Sequence, residues 1–543
     1  MTTSKHVLSL ILLLFSVQLF YAQQTVGVFQ NDASAYNGYT LFAPSGNTTT
    51  YLIDNCGLVI NTWISDYPPG QSAYLLENGN LLRTAFVPSS FNGGGSGGRI
   101  ELYSWEGALL WAYTYSSATY HHHHDIAPMP NGHILLIAWE QRSQAEAIAA
   151  GRNPNLVANQ GIWSERIVEI EPVGSDGINI IWQWHLWDHL VQDFDENQDN
   201  YGAIAEHPEL MDINYGNNGL DWIHLNAINY NPALDQIVVS ARGLSEIWVI
   251  DHSTTTEEAA GNDGDFLYRW GNPQVYDRGT QNDQQFYGQH DVQWIAPGLT
   301  DAGKIMVYNN GQGRPGGNYS SVDIIEPPVN TDGNYELEAG QAYGPTGLSW
   351  SYVAQPPNSF YSPRISGVQR LPNGNTIICE GTSGHLFEID NDGNTVWDYI
   401  SPIRGNGPVS QGDVISQNSV FRAYRYGQDY GAFANKELIP GDPIELNPLD
   451  SDCVTYTDVA EIEAESPFRV LSNPVYEMLL IENLQTKGFY LKVVNANGQV
   501  IYFAKHDDAL IEIGASGWPN GLYVIQLMQL DTLQLFSQKI IKI

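Results

Sequence analysis

Between residues ~25 and ~445 one pattern recurs six times: a strand of alternating apolar residues, an acidic or glycine turn, and a strand closed by tryptophan. Residues 51–63, 100–111 and 386–397 carry it plainly, and residues 167–182, 247–270 and 322–350 carry looser copies ending at Trp182, Trp270 and Trp350. Upstream of several copies lies a second turn signal, at Glu77-Asn78-Gly79, Pro130-Asn131-Gly132 and Pro372-Asn373-Gly374. Gly and Asn tolerate the positive φ that tight hairpins require. Two hairpins per copy make a four-stranded unit that cannot bury its apolar faces alone, so neighbouring units must stack. The fold class this predicts is all-β: a six-bladed β-propeller over residues 23–445.

The flanks read differently. Lys5 and His6 precede an apolar run from Val7 to Phe20, and Ala22 offers a small residue for cleavage, so residues 1–22 read as a secretory signal peptide. The run is too short to span a bilayer, which takes ~20 apolar residues, and no other stretch qualifies as a transmembrane segment. Residues 446–466 are polar and acidic and lack the tryptophan pattern, as a linker does. Residues 467–543 alternate again in short strands and predict a small C-terminal β-sandwich. Cys56, Cys379 and Cys453 form no Cys-x-x-Cys pair; one disulfide with one leftover thiol is open, in any pairing.

Candidate chemistry comes from histidines at one repeat position, the start of a strand entering a hairpin. These are His124 (after His121, His122 and His123), His224 and His290, with Arg364 at the same place in a fourth copy. Equivalent positions of a closed ring converge on its axis. The hairpin after His224 turns near residue 233, which sets Arg242 opposite His224. An imidazole beside a guanidinium packs poorly unless an oxyanion lies between them. Asn226 faces the same way two residues on. Histidines at a funnel wall are expected to be exposed. The acidic run Asp193, Asp195, Asn197 and Asp199 lacks the Gly and Glu of a calcium loop and reads as a solvated loop. A surface with 23 Lys+Arg against 60 Asp+Glu, net charge −37, excludes nucleic acid as a partner.

Residues 221–226 (Asp-Trp-Ile-His-Leu-Asn), the Ser240-Ala241-Arg242 that follows, His123-His124-Asp125 before Pro130-Asn131-Gly132, and Gln289-His290-Asp291 resemble the hallmarks of the bacterial aryl-sulfate sulfotransferases. That resemblance implies a six-bladed propeller moving a sulfuryl group from a phenolic sulfate ester donor to a phenol acceptor, by a ping-pong mechanism and without nucleotide sulfate. It further implies His290 as a nucleophile forming sulfohistidine, and His224 and Arg242 on the sulfuryl oxygens. Either His124 or His123 would hold the sulfate and exchange the phenolic proton, the other serving as a substrate contact with Asn226; Arg364 joins them as a substrate contact by its repeat position alone. No metal and no other cofactor is called for. The alternative is a non-catalytic surface propeller binding glycan or protein. The tail, with Ser472-Asn473-Pro474-Val475, Asn520-Gly521-Leu522-Tyr523 and a terminal Lys539-Ile540-Ile541-Lys542-Ile543, closely resembles the C-terminal sorting domain of type IX secretion. It implies that machinery as a partner, and a secreted or cell-surface location.

Overall fold

The structure is a computed structural model that describes residues 24–330, 333–451, 453–455, 468–484, 488–495, 499–529 and 535–543. The expected signal peptide and most of the expected linker lie outside the described residues. The chain divides into two compact units, Met1–Thr455 and Tyr456–Ile543.

The first unit holds six antiparallel sheets of four or five strands. In chain order, sheet I begins with Pro69–Leu75, sheet II with Tyr120–Pro128, sheet III with Leu225–Asn231, sheet IV with His290–Trp294 and sheet V with Gly367–Arg370. Sheet VI begins with Val420–Gly427, and its other strands come from the opposite end of the unit: Gly38–Pro44, Thr49–Ile53 and Val59–Ile64. Gly27–Asn31 adds a fifth strand to sheet V. Each hairpin follows from local chemistry. Gly132 and Gly374, for instance, take φ of +88° and +90° at their Pro-Asn-Gly turns, where any other residue would be strained.

Every repeat tryptophan sits on the fourth strand of a different sheet, and each is spent on a seam. Trp111 Nε1 of sheet I donates to the Gly177 carbonyl of sheet II at 2.8 Å, and Trp182 of sheet II donates to Thr254 beyond the third strand of sheet III at 3.3 Å. Trp270 reaches the Pro345 carbonyl, Trp397 the Asn55 carbonyl and Trp63 the Ser104 carbonyl, all at 2.8 Å. On Trp350 of sheet IV lies the Arg370 guanidinium of sheet V, 5.1 Å from the ring centroid. The seams therefore run from I to VI in order and from VI back to I. The first strands of successive sheets pack on one another in the same sequence. A Cys56–Cys453 disulfide ties the start of the unit to its end, and Cys379 is a buried free thiol.

The second unit contains a three-stranded and a four-stranded antiparallel sheet around Phe468, Leu479, Ile481, Phe489, Leu491, Ile511 and Ile525. Among the described residues no helix is long and apolar enough to cross a membrane.

Candidate active site

The first strand of each sheet is where the chemistry gathers, because that strand is irregular. Pairing slips between Leu136 and Ala138 opposite His123–Asp125, between Leu225 and Ala227, and between His290 and Gln293. Beside these slips His124, His224 and Asp291 take φ of +53°, +57° and +51°, and Ile365, ahead of the first strand of sheet V, takes +41°. Such backbone costs on the order of 1–3 kcal/mol per residue and persists only where the surroundings impose it. A bulge re-aims a side chain, and here it turns imidazoles toward one point. His290 opens its strand, as expected, whereas His224 precedes its own by one residue. His124 does neither: it lies inside Tyr120–Pro128, because the preceding His121 and His122 extend the strand to pair with Trp139 and Ala138.

The His124 and His224 rings meet edge-to-face with centroids 4.7 Å apart. The Phe421 ring of sheet VI has its centroid 6.1 Å from that of His124 and 6.4 Å from that of His290. The Arg242 N–H donates to the His224 carbonyl at 3.2 Å, so the two are opposite each other as the hairpin register predicts. The Arg242 guanidinium donates to Gln312 Oε1 at 3.0 Å. Among the described residues no carboxylate forms an ion pair with Arg242 or with the exposed Arg364. Burial, then Arg364, pulls the Arg242 pKa below its usual value, against the pull of Asp221.

Each imidazole is fixed by a partner the repeat pattern did not reveal. His290 Nδ1 lies 2.7 Å from Asn310 Oδ1. The Asn310 amide nitrogen is already committed to the Ser362 carbonyl at 2.7 Å and Ser366 Oγ at 3.1 Å. Its oxygen must therefore accept from Nδ1–H, which leaves the His290 lone pair on Nε2. That lone pair meets the backbone N–H of Ile365 at 3.2 Å. His224 Nδ1 pairs with Asp221 Oδ2 at 2.5 Å, while Trp139 Nε1 holds the other Asp221 oxygen at 3.0 Å. His123 stacks on Trp139 at 4.1 Å and bridges Glu165 to His124. Burial, followed by neighbouring cations and imidazoles, drives the pKa values of His123, His124 and His290 well below the usual histidine range, so these rings are neutral at neutral pH.

One expectation needs correction. His124 and His290 are 2% and 1% exposed, not open funnel residues. The glycine-rich run at residues 92–98 seals His124: its N–H donates to the Gly95 carbonyl at 2.7 Å, and a Cβ on Gly95 would fall 2.0 Å from His124 Nε2. Asn226 is fully buried, and its amide nitrogen donates to the Gln289 carbonyl at 2.8 Å, holding the chain beside His290. Clefts of about 620, 700 and 610 Å³ lie elsewhere, walled by Trp350 and Phe387, by Trp270 and Tyr343, and by Leu102 and Trp111. The loop at 193–199 closes on itself, with Asp195 accepting from Asn197. His185 and His189 pair with Glu140 and Asp265 in supporting walls.

An all-β frame that sets neutral imidazoles beside guanidinium groups lacking carboxylate partners defines a protein suited to an oxyanion and to attack by nitrogen. The chain belongs to the arylsulfotransferase (ASST) family, whose sequence model matches residues 28–413, and membership supports aryl sulfotransfer in general, with small-molecule phenolic substrates. No curated protein matches it. Solved structures it is similar to include a Bacteroides caccae protein of unknown function (11% identity, 72% of this chain and 99% of that one, TM-score 0.37). A streptogramin B lyase (11%, 71% and 88%, TM-score 0.34) and the Staphylococcus aureus virginiamycin B lyase (10%, 69% and 88%, TM-score 0.31) are also similar.

Proposed function

We propose that the six sheets are the blades of a propeller whose hub performs ping-pong sulfuryl transfer between phenols, with His290 as the nucleophile. The observation that carries this is the tautomer of His290: Asn310 fixes the proton on Nδ1 and leaves a neutral Nε2 lone pair in the field of Arg242. Sulfate monoesters are anionic and repel anionic nucleophiles, so a neutral imidazole is a suitable attacker. Attack by Nε2 on sulfur breaks the S–O bond and forms sulfohistidine. Arg242 and His224, with Arg364 at the rim, stabilise the charge that spreads onto the sulfuryl oxygens. His124 protonates the departing phenolate and later deprotonates the acceptor phenol. The sealed site implies that the glycine-rich run and the Ile365 N–H give way when substrate enters. For export, we propose that residues 1–22 direct the chain out of the cytoplasm and that the second unit is read by the type IX machinery, delivering the protein to the cell surface or beyond.

The test uses 4-nitrophenyl sulfate as donor and phenol as acceptor. Nitrophenol release should depend on phenol after a stoichiometric burst, and the peptide containing His290 should gain the mass of one sulfuryl group. Steady release into water with no labelled peptide would instead identify a sulfatase. His290→Ala should abolish both signals.

A further inference from the structure

Three titratable side chains, His124, His123 and Glu165, stand in line. His124 Nδ1 lies 2.9 Å from His123 Nδ1, His123 Nε2 lies 2.9 Å from Glu165 Oε2, and Glu165 Oε1 accepts the Leu225 N–H at 2.9 Å. No described residue hydrogen-bonds His124 Nε2. All three side chains are buried, so water does not interrupt the line. We propose that Glu165 and His123 are the proton store of this site: through His124 they supply a proton to the leaving phenolate in one half-reaction and take one back from the acceptor phenol in the other. The proposal rests on the sulfuryl-transfer reading of the same site.

Each of the two internal hydrogen bonds can be drawn in two directions. In one arrangement Glu165 carries a proton and donates it to His123 Nε2, His123 Nδ1–H donates to His124 Nδ1, and His124 Nε2 bears a proton. In the other, Glu165 is a carboxylate accepting from His123 Nε2–H, His124 Nδ1–H donates to His123 Nδ1, and His124 Nε2 is a lone pair. The first arrangement is an acid and the second a base, and neither contains an imidazolium.

The half-reactions interconvert them. When the donor S–O bond breaks and the His290 N–S bond forms, the phenolate oxygen takes the His124 Nε2 proton. His124 Nδ1 then takes the His123 proton, and His123 Nε2 takes that of Glu165, leaving a carboxylate. When the acceptor oxygen attacks sulfur and the N–S bond breaks, the phenolic proton enters at His124 Nε2 and the shifts reverse. The surroundings favour this over a charged His124: a cation there would be buried against His224, His123, His290 and Arg242, whereas burial, then Asp221, raises the Glu165 carboxyl well above its usual range. The Leu225 N–H meanwhile steadies the carboxylate form.

Glu165→Gln tests this. Its carboxamide can accept from Leu225 and donate to His123, which locks His124 Nε2 as N–H and removes the store. The nitrophenol burst should slow no more than about tenfold, because that leaving group needs little protonation. Transfer to phenol should fall about 100-fold or more, within the range of general-base catalysis. Acidic phenols already ionised at the assay pH should recover most of the loss, and Glu165→Asp should retain part of the phenol activity. An equal loss for every acceptor, or none, overturns the proposal. Should the variants not fold, ¹⁵N spectra of histidine-labelled wild type decide: neutral His123 and His124 tautomers supporting one another are expected, and an imidazolium at either overturns the store. If wild type never labels His290, the reaction assignment fails, and those spectra still judge the proton line by itself.

Discussion

At the residue scale the site is a set of tautomers imposed by neighbours. Asn310 contributes no charge, yet it decides which His290 nitrogen carries the lone pair that the proposed mechanism uses. Asn310→Ala removes that preference, and the freed ring divides between tautomers and orientations. We expect kcat to fall by about 10²-fold with KM changed little, a smaller loss than the ~10⁴ that a wrong tautomer costs in a serine-protease triad. A KM rise with unchanged kcat, measured over a range of donor concentrations, would assign Asn310 to binding instead. The three histidines and Arg242 could be picked out in the sequence because His124 and His290 lie on hairpin strands, and His224 and Arg242 flank a hairpin whose register can be counted. Asn310 was legible by the same rule but went unread. It directly follows the second strand of sheet IV, as Arg242 follows that of sheet III, and His290 pairs with Tyr308 two residues before it. Glu165 and Asp221 were not legible: one sits on a third strand and the other on a loop, and no repeat position relates them to the histidines they serve.

At the element scale the repeat tryptophans mark the fourth strand of each sheet, but not where that strand ends: Trp63, Trp111, Trp182 and Trp397 lie inside theirs, Trp350 opens its own, and Trp270 alone among them closes one. The slips in the first strands could not be read, because a bulge arises where several chains crowd one axis, and local alternation continues on either side of it. Sheet V shows how its strands are joined by charge as well as by the ladder. His385, at the head of His385–Ile389, has Nε2 3.1 Å from Asp398 Oδ1 and Nδ1 3.6 Å from Glu380 Oε2, on the strands to either side. Burial opposes its protonation, but the two carboxylates prevail and lift its pKa to about 9. A histidine whose native pKa exceeds its unfolded value of about 6.5 stabilises fully below that value and loses its contribution as pH climbs through the native one. The pair is partly open to solvent, so the effect should be about 1 kcal/mol rather than the full value of the shift. Urea unfolding of His385→Gln should show that deficit at pH 6 and almost none at pH 10. A deficit independent of pH would mean that packing, not the ion pairs, is responsible.

At the scale of the whole molecule, the contacts that join the six sheets lie next to the histidines proposed to be catalytic. Arg422 on the first strand of sheet VI has Nη1 2.8 Å from Asp125 Oδ2 and Nε 3.0 Å from Asp291 Oδ1, the residues next after His124 and His290. Tyr74 of sheet I donates to Asp125 at 2.7 Å, the Ile228 N–H of sheet III reaches Asp125 at 3.1 Å, and the Val368 N–H of sheet V reaches Asp291 at 2.7 Å. One guanidinium and two carboxylates thus touch all six first strands and set the spacing of the two histidines. The His-Asp dipeptides were visible in the sequence, but their shared cation lies 131 residues beyond Asp291 and carries no motif. Arg422→Met keeps the volume and strands both aspartates, and a buried charge left without its partner costs about 3–5 kcal/mol. Burial, against the pull of Arg422, already raises Asp291 to about 6, and loss of the guanidinium must raise it further. A carboxyl with a raised native pKa stabilises the fold when protonated and loses that contribution as pH rises. The deficit of the variant should therefore be largest near pH 8 and shrink toward pH 5, where protonation removes the uncompensated charge. Thermal unfolding of both proteins across that range measures it; a deficit that stays the same from pH 8 to pH 5 would show that Arg422 holds the ring by packing and not by its charge.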